Sequence, residues 1–208
     1  MGFRRHRIAS TLTVGALAAV LAAGAGAGRG GGGTTPGPWC GGPLWRLMTF
    51  SDADRGRVLL DRIPTDIASF ADLRTPPKIG IRRTERFQSH SWRLGVVVDR
   101  YRIASNGEIV LVLYSIPNGR YMNAYFPNPR CLSNRTRDRA GILAARRAFT
   151  DHCPRATAAW QLLGASVDLS GIGFWNQSHA TRGALPNGAE LRPLTDFRIV
   201  SGCGVASP

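Results

Sequence analysis

Between Trp92 and Phe126 the chain changes side at nearly every second residue and turns back twice, and few folds satisfy both demands. Leu94, Val96, Val98 and Ile103 mark one long strand whose alternate face is polar. Ser105-Asn106-Gly107 then supplies the left-handed backbone that a tight hairpin needs. Ile109 to Tyr114 is a second strand, dense in β-branched residues and apolar on both faces. Pro117-Asn118-Gly119 marks another turn, Arg120 to Phe126 a third strand, and Pro127 and Pro129 end the sheet segment. The expected unit is a three-stranded antiparallel meander.

What flanks the meander narrows the fold class. Upstream, Ser51-Asp52-Ala53-Asp54 suits a helix start, and Val58, Leu59, Leu60 and Ile63 give it a short apolar face that Pro64 ends. Thr65-Asp66 caps a second short helix running through Leu73, stopped by Pro76-Pro77. Downstream, Asp138 to His152 carries Ile142, Leu143, Ala145 or Arg146, and Phe149 at helical spacing. Val167 to Trp175 reads as a fourth strand and Leu191 to Val200 as a fifth, interrupted early by Pro193. Three strands, a helix and two strands is the element order of an OB-fold. The expectation is therefore a mainly β (α+β) chain: a five-stranded OB-like barrel with a helix between strands three and four, preceded by short helices. A generic α+β sandwich satisfies the same order.

The ends of the chain place that domain. Arg4, Arg5 and Arg7 precede an uncharged run from Ile8 to Ala27, with small-residue cleavage patterns at Ala23-Gly24-Ala25 and Ala25-Gly26-Ala27. That layout predicts a signal peptide over residues 1–27. A retained membrane anchor of the same length is the rival, but alanine and glycine favour membranes weakly. Residues 28–38 are Gly, Thr and Pro with one Arg, a flexible stem; residues 39–204 are left for a single globular domain. Four cysteines, Cys40, Cys131, Cys153 and Cys203, all follow the leader without a CxxC pair, which in an oxidising compartment means two disulfides. Three pairings are possible. Cys131–Cys153 flanks the predicted helix and Cys40–Cys203 joins the two ends of the domain, and these two are the expected bridges. The net charge of +14 is nearly all arginine, with Lys78 the only lysine; removing the three leader arginines from the 27 basic residues lowers it to +11. Such a balance suits polyanion binding, and a GC-rich coding bias produces the same composition.

Residues 171–193 read GIGFWNQSHATRGALPNGAELRP. This resembles a group of uncharacterised bacterial exported proteins that share a GxGF[FW][DN]xxHxxxGxxPNxxELxP run. The likeness extends back through Glu85, Trp92, Asn106-Gly107-Glu108, Leu111-Val112-Leu113 and Pro127-Pro129-Cys131, covering roughly Asp66 to Val200. The resemblance implies export and kinship but no reaction. Relatives often carry Asp at the position of Asn176 and Asp-Gly-Asp at Asn106-Gly107-Glu108, so this chain lacks carboxylates where a metal would otherwise be held.

Two sets of residues are candidates for chemistry. Asn176, His179, Arg182, Asn187 and Glu190 concentrate reactive types in one segment. His179 and Glu190, with Asn187, fit a hydrolytic metal site in which Arg182 steadies a phosphate. The plainer reading makes Pro186-Asn187-Gly188 a turn, pairs Glu190 with Arg182 or Arg192, and ties His179 to the loop backbone. Staphylococcal-type nucleases share the barrel, and Asp99, Arg100, Arg102 and Glu108 are the nearest counterparts to their acidic and basic set, but the carboxylate pattern is absent. No GxSxG elbow, Walker loop or dinucleotide loop occurs. The second set, Tyr101, Arg102, Arg120, Tyr121 and Tyr125, lies on or beside the strands with which OB barrels bind oligomers, together with Arg182 and Asn187 from the later segment. The expectation is a monomeric exported module, secreted or at the cell-envelope exterior. It needs no cofactor or metal and binds a polyanion or a cell-surface oligomer. A metal-dependent phosphodiesterase using His179 and Glu190 is the enzymatic alternative, and a structural envelope protein the third.

Overall fold

The computed structural model describes residues 40–176 and 181–203. The leader, the stem and His179 lie outside the described residues. Nine elements follow in order: α1 (Trp45–Met48), β1 (Leu59–Pro64), α2 (Ile67–Ala71), β2 (His90–Ile103), β3 (Ile109–Ser115), β4 (Arg120–Phe126), α3 (Arg139–Thr150), β5 (Gln161–Trp175) and β6 (Ala189–Ser201). The protein is mainly β, a six-stranded mixed sheet with a few helices. Among the described residues no helix is long and apolar enough to cross a membrane.

The meander forms as its turns dictate. Gly107 takes φ 79°, and Asn106 accepts the Glu108 amide through its side chain; Gly119 takes φ 66° beside Asn118, which accepts the Arg120 amide. The second turn sets the register Ser115↔Arg120 and Tyr114↔Tyr121. β2 bulges at Asp99 and pairs with β3 on one side and, antiparallel, with β5 on the other. β5 pairs with β6, and β6 meets β4 in parallel at Ala124↔Leu191. The pairings thus close a ring, β2-β3-β4-β6-β5-β2, with β1 added in parallel to the start of β2.

The core fills this ring. Leu94, Val96, Val98, Leu111, Leu113, Met122, Ala124, Phe126, Val167, Leu169, Leu191 and Phe197 belong to one buried cluster. α3, capped by the Asp138 carboxylate on Gly141 N, brings Phe149 against Tyr101, Phe126 and Phe197 at ring distances of 5.2, 5.6 and 5.8 Å. The short turn Arg86–Ser89 lies directly on β5, so that a Cβ on Gly173 would stand 2.0 Å from the Phe87 carbonyl oxygen.

Two expectations are corrected. Leu59 to Pro64 is a strand, not a helix: the free edge of β2 between His90 and Arg93 offers backbone partners, and that pairing outweighs a weak local helical pattern. The bridges are Cys40–Cys131 and Cys153–Cys203, with Cα separations of 5.4 and 4.4 Å. Flanking a helix turns out to separate cysteines. The 12-residue α3 spans about 18 Å at 1.5 Å per residue, whereas a bridge needs Cα atoms within about 7 Å. Cys131 instead meets the N-terminal segment, which Arg137 fastens by donating to the carbonyls of Arg55 and Val58. The far end of α3 delivers Cys153 to the end of β6.

Peptide mapping without reduction should recover Cys40–Cys131 and Cys153–Cys203; a Cys40–Cys203 peptide would contradict this packing. Gly173→Ala should cost about 1–3 kcal/mol in denaturant unfolding, because the added methyl meets backbone and not a yielding side chain; an unchanged midpoint would show that β5 and the Arg86–Ser89 turn are not in contact.

Candidate functional site

Alternation puts Tyr121, Asn123 and Tyr125 on the outside of β4, because Met122, Ala124 and Phe126 belong to the core. The same rule puts Val110, Val112 and Tyr114 on the outside of β3, directly opposite Tyr125, Asn123 and Tyr121 in register. An outer face is ordinarily wet, yet Val110, Val112, Asn123 and Tyr125 are all buried. The segment between β5 and β6 covers them. Gly183 sits so close that a Cβ there would lie 2.5 Å from Val112 Cγ1 and 3.2 Å from Asn123 Oδ1, and Thr181 hydrogen-bonds Tyr125. Only the Tyr114–Tyr121 end stays open. The two rings lie 4.9 Å apart and Tyr121 is 43% exposed; Arg120, the residue before it in β4, and Arg182, in the covering segment, are exposed as well.

Beneath the covered part lies an ionic cluster. Glu190 and Arg192 share the outer face of β6, and Arg192 reaches Glu108 through both Nε (3.2 Å) and Nη2 while Nη1 donates to Glu190 at 3.4 Å. Asn106 donates to Glu108 at 2.6 Å and Asn176 to Glu190 at 3.1 Å. The Arg192 guanidinium also stacks 4.3 Å over Tyr125 and lies 5.8 Å from Phe174. Burial raises the Glu190 carboxyl from its ordinary 4.5 to about 7, against the pull of Arg192 and the Asn176 hydrogen bond. Burial, followed by the Glu190 charge, also pushes the Tyr125 phenol well above its usual range. A carboxyl that titrates near neutrality suits proton transfer, but Glu190 is 3% exposed and its oxygens are held by Arg192 and Asn176.

Asn106, Glu108 and Asn176 converge here with Glu190 through Arg192. The guanidinium of Arg192 stands between the two acids, supplying the positive charge within the chain itself. Among the described residues no three His, Cys, Asp or Glu side chains are grouped to hold a metal ion.

The predicted site residues divide accordingly. Arg120, Tyr121 and Arg182 lie on the open surface, Glu190 is in the buried cluster, and His179 is outside the described residues. Three expected ligand contacts, Tyr101, Tyr125 and Asn187, are corrected, and Arg102 is only partly exposed. Tyr101 faces the core at 1% exposure, its hydroxyl donating to the Pro154 carbonyl, because it falls on the inner side of β2. Arg102 packs over Trp160 at 4.9 Å, and Tyr125 is roofed by Arg192 and Thr181. Asn187 is a turn residue: its amide donates to the carbonyls of Phe70, Ala71 and Leu73 and its oxygen accepts Ala189 N, so it neither joins Glu190 nor meets a ligand. Asp99 and Arg100 pair with each other at 3.1 Å, apart from Glu108. Tyr114 escaped the sequence reading as a site residue, and of the two partners expected for Glu190 it is Arg192 that pairs with it; both carried a signal. The Asn118-Gly119 turn fixes Tyr114 opposite Tyr121, and an acid and an arginine two apart on a strand must share a face.

The Glu190 shift has a sign that can be tested. Its carboxyl is harder to ionise in the folded chain, so the folded state holds more protons than the unfolded between about 4.5 and 7. Stability from this group is therefore full below 4.5 and falls as pH rises through that window, by on the order of 3 kcal/mol. Glu190→Gln should remove that slope from the pH profile of urea midpoints; parallel profiles for the two proteins would refute the burial of a titrating Glu190.

Compared with known proteins, the sequence matches no protein-family model and no curated relative.

Proposed function

We propose that the mature chain is an exported OB-like binding module that takes an anionic oligomer with ring-bearing units across the open end of β3 and β4. Support for the fold reading comes from strand order. Counting β2 to β6 as five ring strands, their order is 1-2-3-5-4 with closure back to 1, and α3 falls between the third and fourth, as in an OB barrel. The observation that carries the function is the pair of Tyr114 and Tyr121 rings at the open end of β3 and β4, with Arg120 exposed at the start of β4 and Arg182 exposed on the covering segment. Flat aromatic faces accept bases or sugar rings, and guanidinium groups accept phosphate or sulfate. Export agrees with the two disulfides, which an oxidising compartment maintains. The reading is non-enzymatic because Glu190, the acid of the expected hydrolytic pair that lies among the described residues, is 3% exposed and engaged by Arg192 and Asn176.

Fluorescence anisotropy with a labelled single-stranded oligonucleotide and with a heparin oligosaccharide tests it. Affinity should fall steeply with salt, Tyr121→Ala should weaken binding roughly tenfold, and Arg120→Ala and Arg182→Ala should each lower the salt slope by about one. No binding at low salt, or binding indifferent to all three substitutions, would dismiss the proposal.

A further inference from the structure

A second basic feature lies at the other end of β4. The chain leaves β4 at Phe126, passes through the one-turn helix Pro129–Cys131 and runs past Ser133 and Arg135 to α3. The segment Cys40–Arg57 packs beside it, joined by the Cys40–Cys131 bridge and by Arg137 N donating to Phe50 O at 2.9 Å. Between the two segments is a cavity of about 290 Å³, many times the roughly 30 Å³ of a water molecule, whose lining includes Arg46, Arg55, Arg135, Thr49, Ser51 and Ser133. Three guanidinium groups and three hydroxyls line it, and no carboxylate does.

The nearby acids do not neutralise this charge. Asp52 is spent on the buried Arg83, at 2.9 to 3.2 Å, and Asp54 on Arg82, with two contacts of 2.6 Å. Among the described residues Arg46 and Arg135 form no ion pair, and Arg55 donates to the Asp52 carbonyl, an uncharged partner. Thr49 and Ser51 bond each other at 3.0 Å, and Ser133 Oγ accepts the Arg135 amide, so the lining is held in place by its own contacts. Like charges converging without a counter-charge cost free energy, and an arriving anion recovers it through charge-assisted hydrogen bonds.

We propose that this cavity binds a phosphate-type group, a multiply charged tetrahedral oxyanion, held by Arg46, Arg55 and Arg135 with the Ser133 hydroxyl as a further donor, the Thr49 and Ser51 protons being committed to the Trp45 carbonyl and to Thr49. The site is separate from the tyrosine surface and stands whether or not that surface binds an oligomer. The group can arrive free or on a lipid headgroup, and the chemistry of capture is the same.

Isothermal titration of the disulfide-intact protein with inorganic pyrophosphate at constant ionic strength reads the first source. Co-sedimentation with vesicles containing phosphatidic acid, whose headgroup is a phosphomonoester, against phosphatidylcholine alone, reads the second. The expected result is saturable binding in at least one arm, weakened at least about tenfold in Arg46→Gln/Arg135→Gln and unchanged in Tyr121→Ala. Both arginines are exposed and outside the core, so the double variant should keep the wild-type melting temperature. Absence of binding in both arms, or binding equal in the wild type and the double variant, overturns the site. Binding lost in Tyr121→Ala but kept in the double variant also overturns it, and credits the tyrosine surface instead.

Discussion

The ring of strands has one weak seam, and the Arg192 guanidinium is what crosses it. β4 and β6 run parallel and meet at a single residue pair, whereas each of the other ring contacts is an antiparallel ladder of six or more. Where backbone bonds are few, side chains must hold the strands. On the inside, Ala124 and Leu191 pack in the core. On the outside, Arg192 from β6 stacks over Tyr125 of β4 and reaches Glu108 at the entry to β3, so one planar cation spans three strands. A buried cation is costly unless its hydrogen bonds are met, and truncating it would leave Glu108 uncompensated, at a cost of about 3–5 kcal/mol.

Arg192 also shows how the high arginine content is to be understood. Several of the arginines are internal fasteners. Arg83 bonds Asp52 and two carbonyls, Arg137 donates to two carbonyls, and Arg146 donates to the carbonyls of Phe126, Pro127 and Gly107. A guanidinium carries five donors in a fixed fork, so it can satisfy several carbonyls where loops meet and no ladder exists. Net charge therefore overstates the surface available to a polyanion. The arginines left for a surface role are those that are exposed and engage no carboxylate among the described residues, a set that includes Arg46, Arg120, Arg135 and Arg182 as well as Arg74, Arg93 and Arg130.

Much of this architecture could be read from the chain itself. The two Asn-Gly turns, the Asp66 and Asp138 caps, α3 and the last two strands emerge where local chemistry demands them, because each depends on residues a few positions apart. What could not be read depends on distant partners. β1 is a strand only because β2 offers an edge, and the disulfide pairing follows from where α3 places its ends. Burial of Tyr125 was legible in principle: a strand apolar on both faces, as Ile109–Tyr114 is, announces that something covers its outside. Thr181 and Gly183 belong to that cover, and the described motif residues Asn176, Asn187 and Glu190 are occupied in holding it. Asn187 anchors it to α2, Gly183 gives it clearance over Val112, and Asn176 and Glu190 close its base.

That division of labour bears on why a sealed cluster should sit behind the open end of β3 and β4. Gly183 is fixed against Val112 and Asn123, and the next residue back, Arg182, takes its position from that contact. Rigid placement of a flexible, charged side chain lowers the entropy lost when a ligand orders it. The cluster below then serves as foundation: the Glu190–Arg192–Glu108 chain holds β6 to β3, and Thr181 rests on Tyr125.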